Sequence, residues 1–324
     1  MSKASLRRTK TPLFLLVVSL TVVTCSGSSG GSSGGSSSGS SSSLRERLGP
    51  GAGEWEVVPP ESQGLSAAAL RAAAERHKQV RERYCLVVIK GGKLVHETYH
   101  VNSSDTKYET DSLGKTMIAE LVGAVHKRFP FSLDKPIAEF GVDVSDFSEF
   151  GANVTMRHLL SQTTGVGRAE PGRFLTYDSD EFIQHIAPTL GKIIANNTNA
   201  TLFDWATEHF AKPMGFPEVF ADNDQYVYPN VSIGGGQHMT CREIARIGQL
   251  LLNKGKWPTE SHADEELIDK EYMADMTRQS FPEWGSSYGF LTWLNRPGVA
   301  PTFCCAPRWV STVNEHLPPF ACDF

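Results

Sequence analysis

The sequence predicts an α/β fold of the α+β type, on three observations. Leu86 to His96 is rich in apolar and β-branched residues and is broken in its middle by Gly91-Gly92, which reads as an antiparallel hairpin. Upstream, Leu65, Leu70, Ala73 and Val80 recur among charges at helical spacing across Gly64 to Tyr84, with Ser66 placed to cap the helix. Downstream, Thr116 to Phe129 repeats the helical pattern, with Lys115, Ile118 and Val122 on the apolar stripe that Met117, Leu121 and Val125 mark as buried. With 40% hydrophobic and 21% charged residues in 324, one soluble domain with appendages can build a sizeable core.

The appendages come first. Lys3, Arg7, Arg8 and Lys10 precede the apolar run Leu13 to Val23, too short to span a bilayer comfortably and right for the core of a secretory signal. Residues 1–25 are therefore expected to be a signal peptide cleaved near Thr24 to Gly27, or an uncleaved signal anchor. The protein is then secreted or lumenal, or else tethered to a membrane by this segment alone. Cys25 would suit a lipoprotein anchor, but Thr24 before it fits that role poorly. Residues 26–54 are dominated by Gly and Ser and read as a flexible linker. The folded domain is expected over 55–300, with 301–324 an atypical tail.

Chemistry first shows at Ser112-Leu113-Gly114-Lys115. Residues three apart at a helix start share a face, so the Lys115 amine can reach the Ser112 hydroxyl without help from another segment. Burial on the apolar stripe would lower the lysine pKa and make it a usable base. The same spacing recurs at Ser132 to Lys135, but Pro136 follows and disfavours helix there, so this second copy is expected to be a loop without catalytic meaning.

Further stretches extend the pattern in order. They are Glu61-Ser-Gln-Gly-Leu-Ser, the hairpin, Ser112 to Lys115, and Val154-Thr-Met-Arg-His-Leu-Leu-Ser-Gln-Thr-Thr-Gly-Val. Pro171-Gly-Arg-Phe-Leu-Thr-Tyr-Asp-Ser, Lys212-Pro-Met-Gly-Phe, Gly234-Gly-Gly-Gln-His-Met-Thr and Tyr288-Gly-Phe-Leu-Thr-Trp-Leu follow. From about Glu61 to Leu294 this set resembles the serine β-lactamase and penicillin-binding protein superfamily, especially its class C and esterase-like branch. The resemblance implies a β-lactamase/transpeptidase-like fold, an antiparallel sheet flanked by helices with an inserted helical lobe. It implies Ser112 as nucleophile and Lys115 as base. The family's Tyr-x-Asn/Ser motif falls on Tyr177 and Ser179, giving Tyr177 a share in proton transfer and Ser179 a contact to substrate.

The family's third motif, Lys-Ser/Thr-Gly or His-x-Gly on the strand after Gly289 to Leu294, has no match between Asn295 and Phe324. In the family that strand supplies one oxyanion donor, the other being the amide of the nucleophilic serine, and loss of one donor costs on the order of 10²-fold to 10³-fold in rate. Cys304-Cys305, Pro307 and Pro318-Pro319 make 301–324 a poor source of strands, so the expectation is a truncated or alternatively spliced product lacking its C-terminal strands.

Five of ten asparagines lie in Asn-x-Ser/Thr sequons, Asn102, Asn153, Asn196, Asn199 and Asn230, where about one or two would be expected. This excess points to a eukaryotic secretory route with glycosylation, Asn196 and Asn199 being placed in an exposed loop. The six cysteines form no CxxC pair or zinc-like spacing, and the histidines are scattered, so neither metal nor cofactor is expected. His158 reads as structural. A net charge of −5 without a basic stripe excludes nucleic acid as a partner. Two readings stand: a secreted serine hydrolase that acylates Ser112 with an amide, lactam or ester substrate, or a non-catalytic secreted glycoprotein whose cleft only binds.

Overall fold

The computed structural model describes residues 48–80, 83–165, 169–177, 180–221, 231–280 and 287–294. The signal segment, most of the linker, Ser179, Asn230, Cys25, Cys304, Cys305, Cys322 and the whole of 295–324 lie outside the described residues.

A 3-10 turn at Pro60–Gln63 closes on Gly64, whose φ of 68° is left-handed. Helix α1 follows at Ala67–Lys78, and the Ser66 side chain accepts from the Ala69 amide as expected of its cap. The helix stops well short of Tyr84. That residue already belongs to the hairpin: its carbonyl accepts from the amides of His100 and Val101, and its ring stacks on Tyr108 at 4.6 Å. Strands β1, Cys85–Lys90, and β2, Lys93–Tyr99, pair antiparallel around Gly91 and Gly92, with a register shift at Val88/Ile89. Both glycines have positive φ, 58° and 70°, which a two-residue primed turn requires of its central pair.

Helix α2 spans Gly114–Arg128 behind a 3-10 turn at Asp111–Leu113. Every residue from Met117 to Val125 is buried, so the helix is enclosed on all sides where the sequence suggested a single apolar stripe. It runs through the core, packed by α4, Asp180–Asn197, by α8, Lys270–Met276, and by a π-helical turn at Thr207–Ala211. The helical lobe also contains α3, Met156–Leu160, α5, Leu202–Ala206, and α6, Lys212–Met214. Strand β3, Tyr108–Glu109, pairs with β4, His238–Met239; α7 is Cys241–Leu252, and β5, Lys256–Trp257, pairs with β6, Glu265–Glu266. The antiparallel sheet thus consists of three two-stranded pieces among the described residues, flanked by helices. No described helix is long and apolar enough to cross a membrane.

Two local expectations need correction. Asn196 is not in a loop: it sits in the last turn of α4, with Asn199 just beyond, both exposed. Gly289 to Leu294, which the family resemblance matches to a strand, is instead a tight turn, closed by a Tyr288–Trp293 bridge and by the Leu294 amide donating to the Ser287 carbonyl. The turn is forced by close packing, since a side chain at Gly289 would lie 2.2 Å from the Met276 carbonyl oxygen at the end of α8.

Long-range ties hold the hairpin to the rest. Cys85 opens β1 and forms a disulfide with Cys241 at the start of α7, across 156 residues. Beside it Arg242 makes a two-pronged ion pair with Glu97 of β2, at 2.9 and 2.6 Å. Arg246, 3% exposed, donates to the carbonyls of Gly51, Gly53 and Met214, fastening the entry segment to α6 and α7. A bridge closing so long a loop is worth about 2–5 kcal/mol. Reductant, or Cys85→Ser with Cys241→Ser, is expected to lower the melting temperature by several degrees, and equal melting with and without reductant would contradict this.

Glu120 in α2 is fully buried and neither carboxyl oxygen has a hydrogen-bond partner among the described residues. Burial pushes this acid well above the ordinary carboxylate range, so it stays protonated in the fold. In the unfolded chain it ionises near its usual 4.5, so above that pH the unfolded state sheds a proton that the folded state keeps, and stability falls as pH rises. Glu120→Gln is therefore expected to raise the melting temperature by an increment that grows as the pH rises above 4.5, read by thermal melts over that rise. An increment independent of pH would sink this account.

Candidate active site

Ser112 lies in the 3-10 turn that leads into α2, and Lys115 is the second residue of the helix itself. This tight entry places the two side chains together: Lys115 Nζ donates to Ser112 Oγ at 2.9 Å. Lys115 is only 2% exposed, whereas Ser112 is half-buried. The amine has a second acceptor, the Gly234 carbonyl, at 2.5 Å. The Tyr177 ring centroid is 5.3 Å from the same nitrogen, within cation–π range.

The wall that supplies Gly234 is pressed against the nucleophile turn. A side chain at Gly114 would lie 2.0 Å from Gln237 Oε1, and one at Gly235 would lie 2.0 Å from the Asp111 carbonyl oxygen. Gly235 has a φ of 123°, which glycine adopts freely, and Asp111 is left-handed at 44°, so the strain falls on the Asp111 side of the contact. Several hydrogen bonds hold the arrangement. Thr110 donates its amide to the Gln237 carbonyl at 2.7 Å, Gln237 Nε2 donates to the Ser232 carbonyl at 2.7 Å, and Ser232 Oγ donates to the Gly235 carbonyl at 2.5 Å. The short β3–β4 pairing continues this seam.

Tyr177 reaches the site through the loop that follows α3. The Thr176 amide donates to the carbonyl of Gln162, and Gln162 Nε2 donates to the Tyr288 hydroxyl at 2.5 Å. Tyr177, Tyr288 and Trp293 form an aromatic group with centroid separations of 4.7 to 6.0 Å. Thr116 Oγ1, one residue after Lys115, donates to the Leu291 carbonyl at 3.1 Å and anchors the 288–294 turn to α2.

The structure therefore brings Ser112, Lys115 and Tyr177 together, while Ser179 and the region of the third motif lie outside the described residues. The Gly234 carbonyl and Gln162 were not singled out as site residues by sequence reasoning. The Gly-Gly-Gly-Gln run was the available signal for the first; a buried glutamine has none. Lys135 instead pairs with Glu139 at 3.3 Å and lies over Phe140. His158 is a capping residue, its Nδ1 accepting from the Thr155 amide while its own amide donates to Thr155 Oγ1. Burial lowers its pKa to about 4 and keeps the ring neutral for that bond. The four other sequon asparagines all have exposed positions, and no group of three or more potential metal ligands occurs among the described residues.

These features define a β-lactamase/transpeptidase-like fold with a serine–lysine pair at the head of its central helix. The β-lactamase family model matches residues 69–311, three quarters of the sequence, and the chain belongs to that family. Solved structures agree on the fold. A Bacteroides dorei protein assigned to the β-lactamases is 18% identical with a TM-score of 0.52, over 70% of this chain and 77% of that one. A D-stereospecific amidohydrolase from Streptomyces is 16% identical with a TM-score of 0.51, over 70% and 82%. A penicillin-binding protein from Bacillus halodurans is 15% identical with a TM-score of 0.50, over 71% and 84%. No curated protein matches at a significant level.

Proposed function

We propose that this chain is a secreted serine hydrolase that works through an acyl-serine intermediate on an amide, lactam or ester carbonyl. The observation that carries the reading is the 2.9 Å contact between a buried lysine amine and a half-buried serine hydroxyl. As a neutral amine, Lys115 keeps one N–H on the Gly234 carbonyl and turns its lone pair to the Ser112 hydroxyl. Ser112 Oγ then bonds to the substrate carbonyl carbon while its proton passes to Lys115 Nζ. The new ammonium is stabilised by the Gly234 carbonyl and the Tyr177 ring. The tetrahedral adduct collapses by breaking the bond to the leaving nitrogen or oxygen, which takes a proton from Lys115 or through Tyr177. Water attacks the acyl-serine with the same groups acting as base, returning Ser112 and releasing the acid.

Trp293 and Tyr177 offer an aromatic wall beside the nucleophile, which suits an apolar acyl or leaving group. Secretion is supported by the Cys85–Cys241 disulfide, a bond kept in oxidising compartments, and by the exposed sequons at Asn102, Asn153, Asn196 and Asn199. The test is turnover of p-nitrophenyl esters, D-amino-acid p-nitroanilides and a chromogenic cephalosporin by wild type and Ser112→Ala. Ser112-dependent turnover of any of them supports the reading. Folded protein without turnover or acylation on this panel favours a cleft that only binds.

A further inference from the structure

An open cavity of about 280 Å³ lies on the helical lobe, away from Ser112, between the end of α2 and the last turn of α4. Its walls include Phe129, Phe131 and Phe140, all half-buried, with Arg128 at the rim and Ile193 and Asn196 on the α4 side. Phe131 meets Phe140 edge-on at 5.8 Å, and cations already lie over two of the rings, the Arg128 guanidinium over Phe129 at 5.6 Å and Lys135 Nζ over Phe140 at 5.1 Å. The parts of these half-buried rings that the cations leave open to the cavity give a sugar ring apolar surface to pack on.

The cavity carries its own attachment point. Asn196 begins the sequon Asn196-Asn197-Thr198 and is exposed, and its carboxamide makes no hydrogen bond among the described residues. The neighbouring Asn197 instead donates Nδ2 to the Ile193 carbonyl at 2.8 Å and is turned back on the helix. The second sequon, three residues on, is placed differently: Asn199 does not line the cavity. We infer that Asn196 is an N-glycosylation site whose proximal N-acetylglucosamine seats in this groove, its apolar sugar face over Phe129 and Phe131. The inference rests on the secretory reading above. It makes the glycan part of the fold, a shield for three phenylalanines, where an ordinary surface glycan would only solubilise.

The test uses the full chain expressed through a eukaryotic secretory pathway with its glycans held in the high-mannose form. Glycopeptide mapping is expected to find Asn196 modified. Trimming with endoglycosidase H, which leaves one sugar, should leave the melting temperature unchanged; complete removal with peptide N-glycosidase F should lower it by about 2–4 °C. Asn196→Gln should give the same lowering and Asn199→Gln none. Phe131→Ser, which opens the groove, should abolish the difference between single-sugar and sugar-free protein whatever it does to the absolute stability. Unmodified Asn196 on protein glycosylated at Asn102 or Asn153 would overturn this inference and leave the secretory reading intact. Equal melting of the single-sugar and sugar-free forms would overturn the seating, and the absence of glycan from every sequon would overturn both readings.

Discussion

Lys115→Met is expected to lower the rate of Ser112 acylation by about 10²-fold to 10⁴-fold, the range that a positioned general base contributes, while leaving the protein as stable as before or more so. Methionine fills nearly the volume of the lysine stem in a site that is 2% exposed, so packing survives. The polar amine is what a folded chain would rather not bury, and its satisfaction by Ser112 and the Gly234 carbonyl only offsets desolvation. Opposite signs for activity and stability are the mark of a residue kept for chemistry. Lys115→Ala is the weaker probe because it adds a cavity to the central helix. Progress curves with an activated ester, together with thermal melts, measure both quantities. Acylation by the methionine variant within a few-fold of wild type would remove Lys115 from the mechanism.

Gly235→Ala is expected to damage activity and stability together. Its Cβ would stand 2.0 Å from the Asp111 carbonyl and 3.3 Å from the Ser112 amide, and its φ of 123° strains any side chain. Both contacts are backbone, so relief requires the nucleophile turn and the wall to separate. The cost should be about 2–4 kcal/mol in stability, from strain plus overpacking. Activity should fall by about 10²-fold, since shifts near 1 Å in a reacting group have that effect. Gly236→Ala is the internal comparison: its Cβ meets nothing nearer than Glu109 Oε1 at 3.8 Å, so only the φ penalty of roughly 1 kcal/mol remains. Equal effects at the two glycines, read by melting and turnover, would contradict the close approach described here.

What was legible in the sequence follows the range of the interactions involved. Ser112 and Lys115 could be paired because a helix start fixes residues three apart, and Ser66 and the Gly91-Gly92 turn because caps and primed turns have local signatures. Tyr177 needed the family resemblance, since the chain brings it to Lys115 through the buried Gln162 loop, which no periodicity announces. The Gly234 carbonyl was invisible as a partner because every residue has a carbonyl and only the fold decides which one meets the amine. The Cys85–Cys241 bond spans 156 residues and could not be chosen among the pairings that six cysteines allow. Helix α1 was drawn too long because the apolar pattern runs on past Lys78, whereas tertiary hydrogen bonds from His100 and Val101 claim the chain at Tyr84. The turn at Gly289 to Leu294, matched to a strand by the family resemblance, has its shape set by α8 and by the Leu160 carbonyl, which accepts from the Leu291 amide.

The central claim is that Ser112 is an activated nucleophile. The most direct measurement is intact mass and peptide mapping after incubation with a fluorophosphonate, on wild type, Ser112→Ala and Lys115→Met, each checked for folding by its melt. The account predicts a single adduct on the peptide carrying Ser112, absent from the alanine variant and formed far more slowly in the methionine variant. An unlabelled Ser112 in folded wild-type protein, or labelling that persists in Ser112→Ala, would contradict it.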